Sequence, residues 1–147
     1  MPPALPVKHR PVRRIELNGR KHESHPSAAH GPTADRGYCQ YRPVGSWRPA
    51  VNLYESADGY FVGVDLAGLS REAIDVTLNG NVLVISGSRE HPRPPGRAAD
   101  LSIHLMEIEQ GPFCRSVEIP SEVDLAAIEA RYTRTGYLWV ELPKRGR

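Results

Sequence analysis

The side chains best equipped for chemistry crowd the first third of the chain: His9, His22, His25 and His30, followed by Cys39. Imidazole and thiolate are good ligands for zinc or copper, but a metal site needs several of them converging at a defined spacing. His22-Glu23-Ser24-His25 is one residue too short for the metalloprotease pattern, in which two histidines four apart share a helix face. These residues read as a solvated polar arm, and no metal or cofactor is expected. Farther on, Cys114 and His104 have the chemistry of a thiol and its base, yet a cysteine within a strand pattern usually packs as a small apolar residue. There is no Gly-x-x-x-x-Gly-Lys phosphate loop, no Gly-x-Ser-x-Gly nucleophile elbow and no pair of cysteines two apart. Catalysis is the least expected class of function. Two cysteines are too few for a disulfide framework, and both are expected to be reduced thiols.

The elements that must position any functional residue fall into two unequal parts. Residues 1–48 carry nine Lys/Arg against three Asp/Glu, and residues 49–147 carry ten against fourteen, so the overall +2 hides a basic start and an acidic remainder. Eight of the fourteen prolines precede residue 50, with no sustained helical or alternating period among them. A flexible basic arm over residues 1–47, one domain over 48–144 and a short tail over 145–147 are the expected organisation. No stretch approaches the roughly 20 apolar residues of a membrane helix, and the Pro-rich start lacks the apolar region of a secretory signal. The expected address is the cytoplasm, with no membrane partner.

From Trp47-Arg48-Pro49 onward the pattern becomes short alternating runs between turn residues, the signature of an antiparallel all-β domain. Val51 and Leu53 alternate with Asn52 and Tyr54; Tyr60, Val62, Val64 and Leu66 follow after the turn Ser56-Ala57-Asp58-Gly59. Ile74, Val76 and Leu78 share one face of a third strand, Val82–Ile85 make a continuous apolar run, and Asn79-Gly80 between them predicts the two central residues of a tight hairpin. After a charged, Pro-rich excursion from Glu90 to Gly96, Leu101, Ile103 and Leu105 predict a small strand at the end of a long loop. Phe113–Ile119, Ile128–Tyr132 and Leu138–Leu142 complete about eight strands, with no helix of any length.

Four segments then carry a family resemblance: Asp65-Leu66-Ala67-Gly68-Leu69, Asn81-Val82-Leu83-Val84-Ile85-Ser86-Gly87, Gly111-Pro112-Phe113-Cys114-Arg115-Ser116, and Ala130 through Gly136-Tyr137-Leu138 to Leu142-Pro143-Lys144. In this order and spacing, residues 48–144 resemble the alpha-crystallin domain of the small heat-shock proteins, in particular the bacterial and plant branch with its long strand-bearing loop. Ala67 stands where that family usually has Pro, and Ile108 where it usually has Arg. The chain stops at Pro143-Lys144-Arg145-Gly146-Arg147 without the family's Ile-x-Ile/Val tail motif, which puts ordinary tail-mediated assembly in question.

The resemblance implies an immunoglobulin-like antiparallel β-sandwich and an ATP-independent chaperone, a holdase, that binds partly unfolded client proteins. It implies a peptide-binding groove along Ile74, Val76, Leu78, Ile128, Ala130 and Tyr132. Arg14-Ile15-Glu16-Leu17 resembles the missing tail motif displaced to the arm, and Leu5-Pro6-Val7 its Pro-centred form. In an extended segment residues i and i+2 point the same way, so Ile15 and Leu17, or Leu5 and Val7, can enter neighbouring pockets while the backbone pairs with an exposed edge. The resemblance also implies a homodimer made by strand exchange, Leu101, Ile103 and Leu105 of one subunit pairing with Val51 and Leu53 of the other, and higher oligomers built from it. The simpler alternative is that the loop folds back onto its own sandwich. Arg115 shares a face with Phe113, Val117 and Ile119. It is expected near the dimer interface with a carboxylate such as Glu107 or Glu109, or reaching the rim. Two other readings stand beside the holdase: a scaffold for one defined partner, like the related cochaperone domain of the CS type, and nucleic-acid binding by the basic arm with Tyr38, Tyr41 and Trp47 stacking on bases. The acidic folded half makes nucleic acid the less expected partner.

Overall fold

The computed structural model describes residues 12–17, 47–96 and 101–146. They form eight short strands in two four-stranded antiparallel sheets packed face to face: β1 (Arg13–Ile15), β2 (Val51–Glu55), β3 (Gly59–Asp65), β4 (Ile74–Asn79), β5 (Val82–Arg89), β6 (Gly111–Glu118), β7 (Glu129–Tyr132) and β8 (Tyr137–Pro143). One sheet runs β1-β4-β5-β6 and the other β2-β3-β8-β7. Single turns of 3-10 helix at Arg71–Ala73 and Leu125–Ala127 are the helical content of the described residues. The fold is therefore the all-β sandwich expected from the alternation.

Period 2 explains the core. Val62, Val64 and Leu66 from β3 and its end meet Leu138, Val140 and Leu142 of β8 on the inner face of one sheet, while Val76 of β4 and Leu83 and Ile85 of β5 face them from the other. No polar side chain among the described residues is buried in that core. The open end is closed by Trp47, whose ring packs edge-on to Phe113 at 5.2 Å and lies under the Arg89 guanidinium at 3.7 Å. Arg89 also donates to the carbonyls of Glu109 and Ala67 and so ties both ends of the long loop to the sandwich. Trp47 is buried, which removes it from the aromatic side chains available to stack on a nucleic acid.

Two expectations about turns and strands need correction. The β4–β5 hairpin pairs Asn79 with Val82, so its two central residues are Gly80 and Asn81 rather than Asn79 and Gly80. The observed register sets Leu78 opposite Leu83 and Val76 opposite Ile85, so buried aliphatic side chains face one another directly, whereas the other turn would have set Leu78 opposite Asn81. Gly80, at φ +61°, takes the left-handed conformation the turn requires. Leu101–Leu105 is not a strand within this chain, because no edge of its own sandwich pairs with it. Conversely, Arg13–Ile15, which has no strand-length alternation of its own, is one, because the edge of β4 supplies its hydrogen bonds.

Gly136, in the β7–β8 turn, has φ +89°, and a side chain there would place its Cβ 2.5 Å from the Ala67 Cα. Its carbonyl accepts from the Leu66 amide at 2.8 Å. Gly136→Ala is expected to destabilise the domain by about 3 kcal/mol, combining left-handed strain with overpacking, measured as a lower urea midpoint at unchanged slope. At the far end, Tyr60 donates to Glu122 and Lys144 pairs with Glu55 at 2.7 Å. The Tyr60 hydrogen bond holds the Glu122 carboxyl below its ordinary 4.5, and the Lys144 hydrogen bond does the same for Glu55. Their stabilisation is thus complete above pH 4.5 and is lost as the pH falls through the lowered folded-state values. The double variant Glu55→Gln/Glu122→Gln is expected to show a shallower loss of stability below pH 4.5 than the wild type, read from urea midpoints against pH.

Candidate functional site: the seam between β4 and β7

With β1 set aside, β4 is the outer strand of one sheet and β7 the outer strand of the other, and the two edges lie side by side along an apolar seam. An unpaired edge needs hydrogen-bond partners for its backbone and cover for its side chains. Arg13–Ile15 provides both. It runs antiparallel to β4 with Arg13 opposite Leu78, Arg14 opposite Thr77 and Ile15 opposite Val76, and two residues later Leu17 makes a parallel bridge to Ala130 of β7. Ile15 is 4% exposed and belongs to the same cluster as Val76, Ile128 and Ala130, with Leu17 packed against it. The alternation of an extended strand sends Ile15 and Leu17 inward and leaves Arg14 and Glu16 exposed. A cavity of about 700 Å³ remains between the segment and β7, lined by Ile15, Glu16, Ile128, Glu129 and Ala130 among others.

Of the six residues expected to line a groove, Ile74, Val76, Leu78, Ile128 and Ala130 are buried along the seam's two strands. Tyr132 sits at the other end of β7, where its hydroxyl donates to the carbonyls of Leu66 and Leu69 at 2.8 and 2.9 Å and fastens the β3–β4 loop. Burial is the main influence raising the pKa of that hydroxyl above the ordinary 10.0. Leu5 and Val7 lie outside the described residues, as do His9, His22, His25, His30, Cys39, Tyr38 and Tyr41. Among the described residues no three His, Cys, Asp or Glu side chains gather around a common point.

Polar contacts that the apolar motif did not signal hold the segment at its N-terminal end. The Arg13 guanidinium donates to the carbonyls of Leu125 at 2.8 Å and Ala126 at 3.3 Å, and Arg14 pairs with the Asp75 carboxylate at 2.7 Å. The carbonyls come from the 3-10 turn just before β7, whose start is capped by the Asp124 side chain accepting from the Ala126 amide. The one hint in the sequence was two consecutive arginines directly before an Ile-x-Leu pair.

The residues expected at a dimer interface are not drawn together within the chain. β2 is the free outer strand of its sheet, with Leu53 exposed and Val51 half-buried. Leu101, Ile103 and Leu105 are exposed, the last two by 65% and 77%, so the loop does not fold back onto its own sandwich. Arg115 is half-buried, and it donates to the Pro49 carbonyl at 2.6 Å rather than to Glu107 or Glu109. A carbonyl just before β2 lies within reach, whereas both acids are exposed on the loop. Desolvation, and then the neighbouring Arg48, pull the pKa of its guanidinium below its ordinary value. Cys114 is disulfide-bonded rather than the reduced thiol expected; cysteine counts speak to how often bridges occur, and only the folded geometry decides which sulfurs meet.

The described residues thus form a β-sandwich whose apolar seam between sheet edges is filled by an extended segment of the same chain. Residues 52–147 match the Hsp20/alpha crystallin family. The chain belongs to that family. Small heat shock protein C4 of Rickettsia felis is 30% identical over 97 residues, which are 66% of this chain and 57% of that protein, so the match spans little more than half of the relative. Among solved structures, heat shock protein 16.0 from Schizosaccharomyces pombe is similar with a TM-score of 0.60 at 30% identity, over 67% of this chain and 88% of that one. A small heat-shock protein from Xylella fastidiosa, described as having a distinct high order structure, is similar with a TM-score of 0.59 at 26% identity, over 69% and 89%.

Pairing with β4 should shield Arg13 and Arg14 from protease, since cleavage requires an extended segment free of the sheet. Ile15→Asp places a charge in the seam and is expected to raise the rate of tryptic cleavage after Arg13 and Arg14 about tenfold or more, followed by mass spectrometry, while the site after Arg115 within β6 stays protected.

Proposed function

We propose that this chain is an ATP-independent holdase that captures extended apolar segments of partly unfolded proteins along the β4–β7 seam, its own residues 12–17 holding the seam until a client displaces them. The observation that carries this reading is the burial of Ile15 in strand register against Val76. A surface that accepts a three-residue strand by backbone pairing and two inward aliphatic side chains makes little demand on sequence, which suits clients of many kinds. Capture of this sort consumes no nucleotide. Membership of the Hsp20/alpha crystallin family supports the chaperone role, and the absence, among the described residues, of a helix long and apolar enough to cross a membrane fits work on dissolved clients.

The working unit is a two-fold dimer in which Leu101, Ile103 and Leu105 of each subunit lie along Val51 and Leu53 of the other. Support comes from the co-occurrence of a free β2 edge and an apolar loop that its own sandwich leaves exposed, each a poor match to water and each complementary to the other. Arg115, bonded to the carbonyl that precedes β2, would steady that edge.

Light scattering of a heat-labile client at its unfolding temperature, with no nucleotide, tests the activity. Wild type should suppress aggregation, and Ile15→Ala/Leu17→Ala should do so at about threefold lower ratio because its seam is more often vacant. No suppression at any ratio by either protein would remove the holdase and leave a scaffold for one defined partner. In sedimentation, Ile103→Asp/Leu105→Asp should convert dimers to monomers with an unchanged melting temperature; a wild-type monomer would sink the exchange.

A further inference from the structure

The contacts that hold residues 12–17 read more than apolar side chains. Arg13 reaches two carbonyls of the Leu125–Ala127 turn and Arg14 reaches Asp75, so both positions directly before the inward Ile15 are met by acceptors. These acceptors lie on different elements, on opposite sides of the segment. They also fix direction: in the reverse orientation the guanidinium groups would lie at the Leu17 end, away from the 3-10 turn. The residues from 49 onward carry four more acids than bases, while residues 1–48 carry six more bases than acids, so the wider field has the same sign as the local contacts.

We propose that the seam is selective for cationic–aliphatic strands: extended segments with two basic residues followed directly by an aliphatic pair at i and i+2, running antiparallel to β4. This deepens the holdase reading and rests on the seam being the docking site. Clients carrying such segments displace residues 12–17 more readily than equally apolar ones flanked by acids. The Asp75 carboxylate and the Leu125 and Ala126 carbonyls are the specificity-determining groups; Val76, Ile128 and Ala130 supply the general affinity.

The test uses the full chain carrying Ile15→Ala/Leu17→Ala, which leaves the seam open, and fluorescent end-blocked peptides read by anisotropy. The first peptide is Val-Arg-Arg-Ile-Glu-Leu, copied from residues 12–17; the second has both arginines replaced by glutamate; the third keeps the arginines and has Ala for Ile and Leu. The first is expected to bind about tenfold tighter than the second, a margin set by two charge-assisted contacts partly open to water. The margin should shrink at 1 M salt and on Asp75→Asn in the protein. Equal binding of the first two peptides would overturn the selectivity while leaving an apolar docking seam intact. Binding of the third peptide as tight as the first would overturn both, because recognition would then be charge alone. Failure of all three to bind, with aggregation still suppressed, would move client capture away from the seam and end this proposal without ending the holdase.

Discussion

Two strands, β4 and β7, end their sheets side by side, and the backbone groups along β4 must find hydrogen bonds somewhere. Arg13–Ile15 answers that demand by becoming the fourth strand of the sheet, and in doing so delivers Ile15, with Leu17 packed beside it, to a core whose other described members lie beyond residue 46. Both halves of the interaction are needed. Three backbone pairs alone would not repay the ordering of a terminal segment, and Ile15 alone would not set its direction. The result is a three-residue strand whose Ile15 is part of the core, and the proposed function requires that it can leave without unravelling what remains.

What remains is held by contacts that do not pass through the seam. The Trp47–Phe113–Arg89 cluster closes one end of the sandwich, and Arg89 fastens both ends of the long loop. At the other end Tyr60 ties β3 to Glu122 in the β6–β7 connection, and Lys144, just past β8, is tied to Glu55 at the end of β2. Tyr132, on β7 itself, is anchored to the Leu66–Leu69 loop. Emptying the seam therefore exposes an edge and a strip of aliphatic side chains while the sandwich stays closed. That separation between a removable strand and a self-sufficient core is the physical basis for reading the domain as a binder of extended chains.

The exposed loop from Leu101 to Ile108 and the free edge of β2 pose the complementary problem. Here an apolar stretch and an unpaired strand coexist on one chain without touching, which a protein tolerates poorly unless another molecule covers them. The edges of β4 and β2 thus differ in kind: the chain covers β4 with its own Arg13–Ile15, whereas no described strand lies beyond β2, the edge that the proposed dimer would use.

Period-2 alternation was legible from residue 51 to residue 142 because each strand has one face on a common core, and the pleat writes that burial directly into sequence. Seven strands, the sandwich, and the inward facing of Ile74, Val76 and Leu78 and of Ile128 and Ala130 follow from it. Alternation does not say which edge meets which segment. The pairing of Arg13–Ile15 with β4 across some sixty residues, the one-residue shift of the Gly80-Asn81 turn and the bond from Arg115 to Pro49 each depend on distances that exist only after folding. Leu101–Leu105 reads as a strand and is not one in the single chain, since a strand requires a partner edge, and alternation records a buried face without recording whose surface buries it. By itself the sequence determined which residues turn inward; tertiary structure decided which edges remain open and what lies across them, because backbone hydrogen bonding is blind to side chains and is settled by proximity.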